Sequence, residues 1–151
     1  MFVETLAELK VNLANSESRV PPLKKAIQAA KAKLGIAFYE SAEVAIEINE
    51  YSNFIYEVLG FAWDEFRWIE NDKSWRKSRI SLLAVGGFGR AELLPHSDID
   101  ILILLERDDV YRNKDNIQSF ITLLWDVGLN VGHSVRSLKD CKRCLLYTSD
   151  A

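Results

Sequence analysis

Apolar residues recur at helical spacing through the first half of the chain and gather into short unbroken runs in the second. Leu23, Ile27, Ala30 and Leu34 repeat at about 3.6 residues, which predicts a helix. Pro21-Pro22 ends an N-terminal polar segment and opens that helix, because proline fits a first helical turn. Gly35 is expected to break or kink it. Phe38, Ala42, Ala45, Ile46, Ile48, Tyr51, Ile55, Val58 and Leu59 predict a second helix, interrupted at Gly60. Ala62, Phe66 and Ile69 suit a further turn or two. Residues 70–79 are polar and basic and form a connector.

The pattern changes at Ile80. Ile80 to Val85 is a short apolar run, as in a buried strand. Gly86, Gly87 and Gly89 break it, and Ala91 to Leu94 suit a helical turn before Pro95. Ile99 to Leu105 is the next strand, and Glu106 to Asn113 a polar turn. Asn116 to Trp125 predicts an amphipathic helix with Ile117, Phe120, Ile121 and Leu124 on one face. Val131 to Val135, with Val, His and Val alternating on one face, is a third strand. The expected fold class is α+β, a mixed sheet flanked by helices with a helical N-terminal extension.

A length of 151 residues allows one domain with a core and hardly two. At 48% hydrophobic and 27% charged, the composition is that of a soluble globular protein. A net charge of −3 leaves no basic footprint, which argues against nucleic acid as the main partner. The N-terminus lacks the apolar region of a secretory signal. No stretch approaches the roughly 18 apolar residues of a membrane span. Cys141 and Cys144 do not make a disulfide framework. The expected location is the cytoplasm, with no membrane partner.

The chemistry concentrates between residues 83 and 105. Asp98 and Asp100 stand two apart at the mouth of a strand, so both side chains point to one face. Two adjacent carboxylates repel, and a divalent cation removes the conflict. Mg²⁺ takes one or two carboxylates plus phosphate oxygens, so both residues are the candidate metal ligands and catalytic groups. Gly86 and Gly87 lack side chains, so their N–H groups can approach phosphates closely. A following helix over Ala91 to Leu93 would add its N-terminal dipole. Arg90 is placed to neutralise phosphate or to pair with Glu92 or an aspartate. Ser97 is expected to hydrogen-bond locally and fix the entry into the strand. A lone Gly-Gly is usually a turn, and a lone Asp-x-Asp usually a solvated strand end. Strand, glycine turn and Asp-x-Asp in this order form the pattern of metal-dependent nucleotidyl transfer. No Gly-Lys-Ser/Thr follows the glycines, so this is not a P-loop. Nor is it a dinucleotide fingerprint, whose last glycine is missing.

Gly-Gly-Phe-Gly-Arg-Ala-Glu-Leu-Leu-Pro-His-Ser-Asp-Ile-Asp (Gly86 to Asp100) resembles the signature of the bacterial PII uridylyltransferase/uridylyl-removing enzymes. Leu124 to Ser137 resembles the same family in order and spacing. That family sits in the DNA polymerase β-like nucleotidyltransferase superfamily. The resemblance implies Mg²⁺-dependent transfer of UMP from UTP to a tyrosine of the nitrogen-signalling protein PII, with release of pyrophosphate. It gives Gly86 and Gly87 the triphosphate and Asp98 and Asp100 the metal. It also implies a third carboxylate on a later strand, yet Val131 to Val135 carries His133 and no acid; the third acid is expected past the end of this sequence or from elsewhere in it, Asp140 being one candidate. Family members continue with an HD phosphohydrolase domain and two ACT domains. The expected organisation is therefore a helical extension over 1–75, an incomplete nucleotidyltransferase core over 76–143, and a non-native tail over 144–151 that does not continue as an amphipathic helix. The alternatives are adenylyl transfer to a protein and a non-catalytic nucleotide-binding or regulatory module.

Other residues are weighed against plainer roles. His133 and Ser134 are strand neighbours on opposite faces and cannot pair directly. Arg136 suits phosphate, an acid or solvent, and His96 suits solvent or a nucleotide edge. Cys141 and Cys144 form a Cys-x-x-Cys without the second ligand pair of a zinc site. Phe61, Trp63, Phe66, Trp68 and Trp75 cluster before the first strand, where core packing or a partner surface would use them.

Overall fold

The computed structural model describes residues 1–40, 43–68, 79–106 and 110–148. Three helices lead, α1 (Val3–Ala14), α2 (Val20–Glu40) and α3 (Val44–Trp63). Then come β1 (Ile80–Ala84), a helical turn α4 (Gly86–Gly89), β2 (Ile99–Leu105), α5 (Val110–Asp126), β3 (Val131–Ser137) and α6 (Leu138–Thr148).

Buried positions explain where the helices run. In α1, Thr5, Leu9 and Leu13 point inward, while Val3 and Val11 stay exposed. This helix falls within the helical extension expected over 1–75, in its polar N-terminal segment, where three inward positions are too few to mark its bounds. α2 begins at Val20 with both prolines in its first turn, where the missing N–H groups have no intrahelical acceptor to lose. The helix is not broken at Gly35, and α3 is not interrupted at Gly60. A helical glycine costs about 1 kcal/mol against alanine. Burial of Leu34 and Ala37 beside one, and of Leu59 and Ala62 beside the other, outweighs that cost. Phe38 belongs to α2, so the second predicted helix starts later, at Val44. Ala42, Ile69 and nearly all of the predicted connector lie outside the described residues.

The sheet has the order β1-β2-β3, with β1 antiparallel and β3 parallel to β2. A parallel pair needs a crossover, and α5 supplies it. α5 starts at Val110, inside the expected polar turn, and buries Ile117, Phe120, Ile121 and Leu124 as its pattern predicts. On β2, Ile99, Ile101, Ile103 and Leu105 face the helices and are buried. Asp100, Leu102 and Leu104 take the opposite face. The aromatic cluster is core packing: Trp63 stacks on Trp68 at 3.9 Å, and both meet the edge of Phe120. Trp75 lies outside the described residues. No helix among them is long and apolar enough to cross a membrane.

One buried hydroxyl ties the helical half to the loop that carries the acids. Ser52 Oγ, on α3, donates to the Ile48 carbonyl at 2.9 Å and accepts the Leu93 N–H at 2.9 Å. Ser52→Ala leaves that buried N–H without its acceptor. A loss of about 1–3 kcal/mol is expected in denaturant unfolding, with faster hydrogen exchange at the Leu93 amide. Unchanged exchange there would show that the link bears no load.

Candidate active site

Ile99 is buried between Asp98 and Asp100, so strand alternation turns both acids outward on the same side. Both line a cleft of ≈ 440 Å³, shared with Gly87, Phe88, Glu92, Leu93, His96 and Ser97. Val85 carries the chain from β1 to the glycines, and its N–H donates to the Asp100 carbonyl at 3.0 Å. The glycine turn is thereby held against the second acid.

The expected helix over Ala91 to Leu94 is not there. The helical turn lies on the glycines themselves, Gly86–Gly89, and ends in a Schellman closure. The Ala91 N–H donates to the Phe88 carbonyl at 3.0 Å, and the Glu92 N–H to the Gly87 carbonyl at 2.9 Å. Ala91 takes φ 56°, the left-handed conformation such a closure requires and that glycine usually supplies. Phe88 anchors the turn; it is buried, with its ring 5.3 Å from that of Tyr56. Val85 caps the turn without a side-chain hydrogen bond. The N–H groups that open a helical turn have no intrahelical acceptor, so here they are available to an anion.

The two glycines differ in what they permit. Gly86 has φ +60°, and a Cβ there would stand 2.9 Å from Asp100 Oδ2. A Cβ on Gly87 would make only ordinary contacts, at 3.9 Å from Arg90 and Glu92. Gly86 thus accommodates the acid, while Gly87 lines the cleft. Arg90 lies outside the lining and pairs with Glu92, Nε to Oε2 at 3.2 Å, both side chains largely exposed. Ser97 acts locally through its backbone, whose N–H donates to the Leu94 carbonyl at 3.1 Å. Ser97 also lines the cleft. His96 lines it too, and also a cavity of ≈ 80 Å³ beneath the loop that Tyr51 and Lys31 share. Burial pushes the Tyr51 phenol up to about 12. Glu92 is the lining acid that the Asp-x-Asp pattern gave no reason to single out.

The third strand supplies no acid. Gly132 stands opposite Asp100 in the register, and Ser134 opposite Leu102 on the same face. His133 lies opposite Ile101 on the other face, exposed at the sheet edge, with its ring 6.5 Å from that of Trp125. Asp140 is committed elsewhere. It closes a capping box at the start of α6: the Ser137 N–H donates to Asp140 Oδ2 and the Asp140 N–H to Ser137 Oγ, both at 3.2 Å. These bonds, with Arg143 and Arg136 nearby, hold its carboxyl below the usual range. The Ser-x-x-Asp spacing carries this signal in the sequence. With that cap, α6 runs to Thr148, so residues 144–148 continue the helix where none was expected. Cys141 is a free, part-buried thiol; the Cys144 side chain lies outside the described residues.

Among the described residues no group of three His, Cys, Asp or Glu side chains converges as a ligand set. Two carboxylates lining one open cleft nevertheless suit Mg²⁺, which completes its shell with water and phosphate oxygens. The space that Gly86 leaves for Asp100 fits that use.

A family model described as "Nucleotidyltransferase domain" matches residues 67–142. The chain is 41% identical over 134 residues to the "Bifunctional uridylyltransferase/uridylyl-removing enzyme" of Azotobacter vinelandii (strain DJ / ATCC BAA-1303). Proteins of the same name from Pseudomonas savastanoi pv. phaseolicola and Pseudomonas syringae pv. tomato are each 43% identical. The matches cover 89% of this chain and 14% of each relative's length. No solved structure matches the chain.

Two stability predictions follow from the caps. Ala91→Gly relieves the left-handed alanine and should raise unfolding stability by about 1 kcal/mol in a denaturant titration. Asp140 has a depressed folded pKa, so its charged form stabilises the fold above its unfolded value of 3.8, and that contribution fades as pH falls through the folded value. Asp140→Asn should therefore melt below the parent at neutral pH. The gap should narrow under acid; a constant gap would mean that the charge has no part in it.

Proposed function

The chain belongs to the nucleotidyltransferase-domain family, and on that footing we propose that it carries the transfer site of a uridylyltransferase. The reaction moves UMP from UTP to a tyrosine of the PII nitrogen-signalling protein and releases pyrophosphate. The observation that carries this reading is the single cleft shared by Asp98, Asp100 and the glycine turn. The names of the relatives favour uridylyl over adenylyl transfer. The proposed reaction is cytoplasmic, where nucleoside triphosphates are made.

Each residue has a task in this scheme. Asp98 and Asp100 would hold Mg²⁺, which when bound offsets the charge of the carboxylates and the triphosphate and polarises the α-phosphorus. The N–H groups opening α4 would donate to phosphate oxygens, with Gly87 allowing close approach. Arg90, one residue beyond the turn, exchanges Glu92 for phosphate. Ser97 and His96 border the nucleotide. The tyrosine hydroxyl gives up its proton to water and its oxygen bonds to the α-phosphorus in line, as the bond to the bridging oxygen breaks and pyrophosphate departs with that electron pair. The chain contributes position and fixed dipoles rather than a covalent intermediate.

β3 reads Val131 to Ser137 without an acidic residue. That favours a second reading, in which this segment binds nucleotide without turning it over. Incubation with PII, Mg²⁺ and either α-labelled UTP or α-labelled ATP separates the possibilities. Label is expected on PII from UTP, and label from ATP alone would reject the uridylyl assignment. UTP binding by calorimetry without pyrophosphate release would support the second reading. Asp98→Asn and Asp100→Asn should each reduce transfer to background with an unchanged circular dichroism spectrum. Turnover retained in both would remove the metal assignment.

A further inference from the structure

We propose that Gly132, on β3, is a positioning residue for Asp100: its missing side chain completes a slot that orients the carboxylate. This rests on the metal reading of Asp98 and Asp100 given above. Asp100 and Gly132 are register partners in the parallel β2–β3 pair, so they share a sheet face. A Cβ on Gly132 would stand 2.9 Å from Asp100 Oδ1, closer than real Cβ contacts come. On the other side, a Cβ on Gly86 would stand 2.9 Å from Oδ2. Both oxygens therefore rest against backbone, one from the turn after β1 and one from the neighbouring strand.

The backbone of β3 does not itself ask for glycine. The left-handed glycines among the described residues are Gly86 and Gly128, whereas Gly132 is ordinary strand. Glycine inside a strand weakens it, and its usual compensation is close approach of another group. That group here is the carboxylate. Glycines without such a neighbour behave differently: a Cβ on Gly35 or Gly60 would meet nothing within 4 Å. A methyl at 132 would push Oδ1 aside, and Asp100 would lose the direction it shares with Asp98 into the cleft. It would also leave the strand backbone as it is. Groups that orient a metal ligand without touching the metal typically change affinity by about 10–100-fold.

The test is Mn²⁺ binding to the full chain, followed by loss of the free-ion electron paramagnetic resonance signal. Gly132→Ala should weaken binding by about tenfold or more while the circular dichroism spectrum and melting temperature hold. Gly35→Ala should leave binding unchanged. If Gly132→Ala melts early, the same change in an Asp100→Ala background decides. Recovery of the melting temperature there supports the contact, and no recovery overturns it. Binding by Gly132→Ala within about twofold of the parent overturns the role of Gly132 and leaves the metal reading standing. No Mn²⁺ binding by the parent chain overturns both.

Discussion

The carboxylate of Asp100 occupies space that two glycines leave open. Gly86 faces one oxygen and Gly132 the other, each so near that a Cβ would stand 2.9 Å away. These glycines belong to different elements, and both are drawn to the same strand. The Val85 N–H ties the turn to the Asp100 carbonyl, and the β2–β3 register brings Gly132 alongside. Steric room for this one carboxylate thus bears on the residue at the start of the turn and on the residue allowed on β3.

The rest of the fold keeps that arrangement rigid. Ile99, Ile101 and Ile103 are buried on the helix side of β2. Full burial of such side chains is worth about 1.5–3 kcal/mol each. A slip of one residue would bring the acids to the core face, where ionised carboxylates could not be tolerated. Hydrophobic burial therefore fixes the direction of the acids. Phe88 does the same for the turn, and Ser52 for the loop that returns to the acids.

Charge sets what the cleft lined by these acids can hold. Asp98 and Asp100 are exposed, with Glu92 nearby held by Arg90. Gly87 and Phe88, in the turn α4 that opens without a side-chain cap, line this space. Such a site favours a ligand that brings a cation together with anionic oxygens. A metal–nucleotide complex has that composition, whereas an isolated anion would meet repulsion from the acids.

Much was legible in the residue order. The three strands, the inward face of α5 and the shared face of Asp98 and Asp100 follow from spacing alone, because burial imposes a period on each element. Local chemistry also identified the glycine turn. Its geometry was not accessible, since Ala91 in a left-handed closure contradicts its intrinsic preference and depends on hydrogen bonds from neighbours. The passage of α2 and α3 through Gly35 and Gly60 escaped for a related reason: burial against distant segments outweighed local propensity. Asp140 was a candidate ligand by position and proved to be a cap, through bonds to Ser137. The sequence by itself determined which residues could carry the chemistry and to which face each would turn. Only the tertiary structure decided that Gly132 stands beside Asp100, because strand register is set by packing over the whole sheet rather than by any stretch of neighbours.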